Sequence, residues 1–270
     1  MTSYYVWPLF AIGACFSIYC WVRYGEGDYG SFTPSGPYRV GFKNFKSAEL
    51  GNECSMFYPA APDGSGRFGV PFAQHGQDSV LAMRVVMAYS KPVFANNPEF
   101  LMARPFLSIR VPVWEDANLG VKEMQPIVFS HAFHSNRMVY SGLCMELASC
   151  GFCVITLNHD DRTCDYTEKS GLFDTDHKAH EFEIRNLQIK IRENEVLALS
   201  DEVMKLGFLK TISLEWHQAK LSRNLVLMGQ SFGGITVLGA SADCEHAKAV
   251  ISLDPWFFPK LNDKLTTRAG

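Results

Sequence analysis

The run Gly229-Gln230-Ser231-Phe232-Gly233-Gly234 carries the sharpest chemistry in the chain. G-x-S-x-G forms a nucleophile elbow when a strand enters it and a helix leaves it, because the sharp turn lifts the serine Oγ above the sheet in a strained backbone conformation. An apolar run at 224–229 precedes Ser231 and an apolar segment at 232–242 follows, which predicts that strand and that helix. Gly229 and Gly233 are expected where the two backbones approach too closely for a Cβ, and Gly234 completes the elbow. Ser231 is the candidate nucleophile.

A serine hydroxyl needs a base, and the base needs an orienting acid; on such an elbow the chain order is serine, acid, histidine. The acids after Ser231 are Asp243, Glu245, Asp254 and Asp263. Asp243 and Glu245 fall at the far end of the predicted helix. Asp254 directly follows a predicted strand at 249–253, so it emerges at the same sheet edge as Ser231, where ligands bind in open α/β sheets. It is the candidate acid. An oxyanion hole needs two backbone N–H groups. Phe232, next to the nucleophile, supplies one; the loop after a predicted strand at 126–130 supplies the other, assigned to Phe133.

The histidine is the gap. Sixteen residues follow Asp254 without one, and the last in the chain, His246, precedes the acid. His131 and His134 lie on the oxyanion loop, and His134 replaces the base only if Asp254 reaches its far nitrogen. The triad is incomplete as written, which predicts little or no turnover by this sequence and an α/β sheet without its C-terminal strands. A truncated chain accounts for both.

The elements that must position these residues alternate along the chain. Strands are expected at 54–58, 126–130, 152–157, 224–229 and 249–253, and helices at 80–89, 138–150, 180–206 and 232–242. In the longest helix the apolar residues Ile184, Leu187, Ile191, Val196, Leu199, Val203 and Leu206 recur about every 3.5 positions. Uncharged strands alternating with helices imply a mostly parallel sheet covered on both faces, and right-handed crossovers make it a doubly wound α/β sheet.

Composition excludes several classes. The 270 residues are 47% hydrophobic and 20% charged, which rules out a disordered chain. With 25 basic against 28 acidic residues there is no basic footprint, and no nucleic-acid partner is expected. Eight cysteines are too sparse for a disulfide-built fold, and the C-x-x-C of Cys150 and Cys153 straddles a helix end and a strand start, which is a structural setting. His159-Asp160-Asp161 follows a strand; adjacent residues there rarely converge on one ion, so a hydrogen-bonded loop is expected and neither metal nor cofactor. Asp174, Asp176, His177 and His180 read as the cap region of the long helix.

Residues 4–22 form a nineteen-residue stretch without charge, flanked by aromatics. As a helix it is roughly 28 Å long, the thickness of a hydrocarbon core, and it reads as a single-pass N-terminal membrane anchor, with a secreted protein after signal cleavage as the alternative. The expected organisation is an anchor or signal segment at 1–24, a linker and lead-in at 25–52, and an α/β domain at 53–270 that is incomplete at its C-terminus. The apolar segments 80–89 and 100–114 either dock on a membrane surface beside the active site or pack in the core.

Several separated blocks resemble the platelet-activating-factor acetylhydrolase family, the plasma and intracellular type II forms that are group VII phospholipases. VFSHAFHSNRMVYS at 128–141 is similar to the family's VFSHG-type oxyanion loop, and LASCGFCVITLNHDDR at 147–162 resembles its LASHGF…HRDR block. Ile184-Arg185-Asn186 sits in a long helix as the family's HIRN does; GQSFGG resembles GHSFGG, and LDPWFFP at 253–259 resembles LDAWMFP. The resemblance implies an α/β-hydrolase fold and calcium-independent hydrolysis of the sn-2 acetyl or short acyl ester of platelet-activating-factor-like glycerophospholipids. It implies Ser231 as nucleophile, Asp254 as acid, and Phe133 and Phe232 as oxyanion donors. The departures are Ala132 where the family has Gly, Gln230 for His, Asp160 for Arg, and the missing histidine. The rival readings are a general carboxylesterase or lipase on the same elbow, and a non-catalytic hydrolase-like membrane protein whose pocket binds lipid.

Overall fold

The computed structural model describes residues 32–76, 78–79, 81–82, 107–173 and 181–258. After β1 (Arg39–Lys46) and β2 (Glu53–Ala60) come β3 (Arg67–Pro71), β4 (Arg110–Glu115) and β5 (Glu123–Ser130). Helix α1 (Ser141–Ser149) leads to β6 (Phe152–Leu157), and a small hairpin, β7 (Tyr166–Thr167) with β8 (Gly171–Leu172), precedes helix α2 (Glu181–Met204). Helix α3 (Phe208–Ile212), β9 (Lys220–Leu221), β10 (Leu225–Gln230), α4 (Phe232–Ala240) and β11 (Ala247–Leu253) complete the order.

The chain divides into two compact units. One comprises 34–68 with 113–270 and the other 1–33 with 69–112. In the first, the strands lie in the order β11-β10-β5-β6-β2-β1-β4. Strands β11, β10, β5 and β6 run parallel, while β2 is antiparallel to both β6 and β1. The sheet is thus mixed, with its parallel half holding the elbow. In the second unit the described strand residues are Gly69–Pro71 of β3 and Arg110–Pro112 of β4.

Parallel strands need crossovers, and these are right-handed, so α1 between β5 and β6 covers one face. The chain then returns past β5 through α2 to reach β10, and α2 packs beside α4 on the other. The strand order therefore reverses between β5 and β10. Such a reversal opens a crevice beyond the carboxyl ends of the two strands, where Ser231 follows β10, while Ser130, the last residue of β5, is buried below it. The core behind it joins Met56, Val128, Ile155 and Leu227 of the sheet to Val196 and Leu199 of α2. Each such side chain contributes about 1.5–3 kcal/mol on burial.

The predicted strands recur as β2, β5, β6, β10 and β11, and the predicted helices at 138–150, 180–206 and 232–242 as α1, α2 and α4. The predicted helix at 80–89 lies mostly, and the cap residues Asp174, Asp176, His177 and His180 lie wholly, outside the described residues. The membrane assignment is corrected: among the described residues no helix is long and apolar enough to cross a membrane. The nineteen apolar residues on which the anchor rested fall outside the described residues.

Candidate active site

Ser231 stands between β10 and α4 with φ 53° and ψ −112°. A non-glycine residue held there stores about 1–3 kcal/mol, which the surroundings must over-determine. They do so through three backbone hydrogen bonds. Ser231 N–H donates to Leu253 C=O at 2.8 Å, and its own carbonyl accepts from Trp256 N–H at 3.0 Å and Ile235 N–H at 3.1 Å. The glycines leave no room for a side chain. A Cβ on Gly229 would lie 2.3 Å from the Gly233 carbonyl oxygen; one on Gly233 would lie 2.1 Å from that of Ser130; one on Gly234 would lie 2.8 Å from Ser252 Oγ. Close backbone approach is therefore the reason for this spacing. Ser231 is half-buried, and its Oγ has no hydrogen-bond partner among the described residues.

Asp254 follows β11 as Ser231 follows β10. Gln230 and Leu253 are register partners in that parallel pair, so the next residues, Ser231 and Asp254, leave the sheet side by side. Asp254 also has a positive φ, 45°, and it is exposed. Two candidate residues far apart in sequence thus share one rim.

Phe133 and Phe232 meet at the same corner. Their rings lie 5.5 Å apart, and both contact Trp256, at 5.8 and 5.6 Å. Neither backbone N–H has a hydrogen-bond acceptor among the described residues, and that of Phe232 opens the nine-residue helix α4. The loop carrying Phe133 is pinned on each side. Arg192 Nη1 donates to His131 C=O at 2.6 Å, His134 N–H donates to Thr163 C=O at 2.9 Å, and Asp165 N–H donates to Ser135 C=O at 3.0 Å. Ala132 does not take a positive φ, so its methyl group meets no left-handed strain, whereas His134, two residues on, takes φ 53°. Gln230 accepts a 2.6 Å hydrogen bond from Tyr140 Oη.

No described histidine hydrogen-bonds Ser231 or Asp254. His246 opens onto the opposite end of β11 and faces Asp201 at 3.4 Å. His131 Nδ1 lies 2.7 Å from its neighbour's carbonyl, and His131 Nε2 accepts from His159 N–H at 3.3 Å. Burial, with Arg192 and His159 nearby, holds His131 well below the usual 6.5. His134 packs between Phe133 and Phe173, and burial followed by Arg185 and Arg192 lowers it to about 3. Both are neutral imidazoles near neutral pH.

The segment His159-Asp160-Asp161 is a hydrogen-bonded loop. His159 lies 2.7 Å from Ser130 Oγ and 2.7 Å from Glu195; Asp160 pairs with Lys169 at 2.7 Å; Asp161 accepts from Arg192 Nε at 2.8 Å. Three side chains turn to three different places. Their partners Arg192 and Glu195 are not marked by the apolar periodicity of α2, yet both are buried. Leu187, Ile191 and Leu206 of that expected stripe are exposed, while Gln188, Arg192 and Glu195 are buried. The available signal was polar residues at i, i+4 and i+7, the spacing of a buried face.

Residues 32–269 match the family described as platelet-activating factor acetylhydrolase, isoform II. Similar proteins include the platelet-activating factor acetylhydrolases of Bos taurus, 28% identical over 192 residues (62% of this chain, 43% of that protein), and Cavia porcellus, 27% identical over 173 residues (56% and 40%). The chain spans less than half the length of these curated relatives. A ferulic acid esterase from Streptomyces cinnamoneus shares the fold, with a TM-score of 0.58 at 15% identity, over 86% of this chain and 63% of that one. The mixed sheet with its helices is an α/β-hydrolase fold.

Proposed function

Because the chain belongs to the platelet-activating factor acetylhydrolase family, isoform II, we propose that it cleaves the sn-2 acetyl or short acyl ester of a glycerophospholipid through an acyl-Ser231 intermediate. Ser231 Oγ attacks the ester carbonyl, and the oxygen that gains negative charge accepts hydrogen bonds from the Phe133 and Phe232 N–H groups. Collapse of the tetrahedral intermediate breaks the ester bond and expels the lysophospholipid alcohol, which takes up a proton. Water then releases the acid from Ser231. No described histidine reaches this rim, so the proton leaves Ser231 Oγ to water and water returns one to the departing alcohol, while Asp254 stands where it would orient an imidazole base.

The single observation that carries this reading is the register pairing that sets Ser231, strained and half-buried, beside Asp254 on one rim. The substrate class proposed is supported by the names of the matched relatives. Since no described histidine reaches Ser231, the 270 residues are expected to turn over slowly. Phospholipid hydrolysis and lipid binding without turnover are separated by one comparison. The protein is treated with a fluorophosphonate, its adduct is mapped by mass spectrometry, and acetate release from a 2-acetyl glycerophosphocholine is set against fatty-acid release from a triglyceride. Slow labelling at Ser231 with preference for the acetyl-phospholipid is expected. An unmodified Ser231, or preference for the triglyceride, overturns the proposal.

A further inference from the structure

We infer that Glu195, His159 and Ser130 form a buried hydrogen-bonded relay that positions the oxyanion loop, and with it the Phe133 N–H, against the elbow. The inference rests on the reading of Ser231 as nucleophile and Phe133 as oxyanion donor, and it assigns positioning residues that touch no substrate.

The three groups come from three elements. Ser130 ends β5, His159 follows β6 and Glu195 lies on α2. Ser130 Oγ is 2.7 Å from His159 Nε2, and His159 Nδ1 is 2.7 Å from Glu195 Oε2. Glu195 Oε1 accepts from Asn52 Nδ2 at 2.8 Å and from Asp160 N–H at 3.0 Å. With an ionised carboxylate and a neutral ring, which burial of His159 favours, one proton arrangement satisfies all of these contacts. Glu195 accepts, so His159 Nδ1–H donates to it; the neutral ring then accepts at Nε2, and the Ser130 hydroxyl donates. All three side chains are buried, with Ser130 and His159 at 0% exposure. The order serine, imidazole, carboxylate is that of a catalytic triad, but a hydroxyl sealed within a strand cannot meet a substrate.

What the relay touches gives its role. Ser130 pairs in register with Gly229, and its carbonyl oxygen is the atom that Gly233 packs against. The relay therefore ends on the residue that joins the elbow to the start of the oxyanion loop. His159 also donates its backbone N–H to His131, and Arg192, one turn before Glu195, donates to the His131 carbonyl. Helix α2 thus holds two consecutive residues, His131 directly and Ser130 through His159, with Ala132 between them and Phe133. Burying a carboxylate and an imidazole is unfavourable compared with apolar packing. Geometry at the reacting atoms is what such a network can return, since a misplacement of about 1 Å lowers rates on the order of 100-fold.

The test uses Glu195→Gln and Ser130→Ala in the full chain, with Ser200→Ala as control. Ser200, on the same helix, is also buried and donates to Val196 C=O at 2.6 Å, so its loss imitates a generic buried hydrogen-bond deletion. Fluorophosphonate labelling of Ser231 separates reversible binding (Ki) from the chemical step (kinact). Glu195→Gln and Ser130→Ala are expected to lower kinact about 10- to 100-fold with Ki unchanged, while Ser200→Ala leaves both unchanged. Amide hydrogen exchange should quicken at 131–134 in both relay variants and stay as in the parent along β10. Unchanged kinact and unchanged loop exchange in either folded variant, or the same losses in Ser200→Ala, overturn the relay. If the parent chain does not label at Ser231, the esterase reading fails and loop exchange alone decides the relay. If Glu195→Gln does not fold, Ser130→Ala carries the comparison.

Discussion

Ser231 and Asp254, twenty-three positions apart, are the first residues past one register pair of neighbouring parallel strands, and each leaves its strand with a positive φ. The two turns are tied together by Ser231 N–H to Leu253 C=O and Trp256 N–H to Ser231 C=O. The rim is thus a braced corner in which backbone bonds, not the side chains, set the spacing of hydroxyl and carboxylate.

The strain at Ser231 can be released by a residue that tolerates its φ of 53°. Ser231→Gly should raise stability by about 1 kcal/mol, provided the turn is kept, and abolish fluorophosphonate labelling. Urea denaturation and adduct mapping read the two effects; a destabilised variant would show that the serine side chain helps hold the turn.

Gly233 has no such latitude. A methyl group there meets the carbonyl oxygens of both Ser130 and His131, which belong to the entry of the oxyanion loop. Gly233→Ala should cost about 1–3 kcal/mol by overpacking and slow labelling of Ser231. A urea midpoint equal to that of the parent would contradict the close approach.

Arg192 and Asp161 form a fully buried ion pair, with Arg192 also holding the His131 carbonyl. Arg192→Ala leaves the Asp161 carboxylate buried without its cation, and a loss of about 3–5 kcal/mol is expected. Arg192→Ala combined with Asp161→Ala should cost less than the sum of the single changes, and strict additivity would refute the coupling.

The buried histidines set a pH response. Burial, assisted by Arg192, keeps His131 and His159 well below their usual 6.5, so the unfolded chain binds protons that the folded chain refuses. Stability is therefore lost as pH falls through 6.5, by up to about 1.4 kcal/mol per pH unit for each ring. Glu195 acts in the opposite sense: burial raises it above 4.5, so the folded chain takes up its proton first and gains stability as pH falls toward 4.5. His134, lowered to about 3, acts in the same sense as the other two histidines, so three rings stand against one carboxyl. The urea midpoint should drop between pH 7 and pH 5, and an unchanged or higher midpoint would contradict these neutral imidazoles.

The elbow was legible because its chemistry is local: three glycines and a serine between an apolar strand and an apolar helix admit few other backbones. Asp254 was legible for a related reason, since a parallel strand ends at the edge where its neighbour ends. Strands β1, β3 and β4 carry charges within short runs and lack a clean period, so their pairing depends on partners distant in the chain. The buried polar face of α2 was hidden for another reason. Hydrophobic periodicity assumes that a core face is apolar, and Arg192 and Glu195 face inward because two loops present carbonyl, imidazole and carboxylate groups to them.

Acetyl transfer to Ser231 tests the central claim most directly. The protein is incubated with a 2-acetyl glycerophosphocholine in buffer supplemented with imidazole as an external base, and its peptides are mapped by mass spectrometry. The account predicts an acetyl group on Ser231 that depends on imidazole and is absent from Ser231→Gly. An unmodified Ser231, or acetyl found only on other residues, would contradict it.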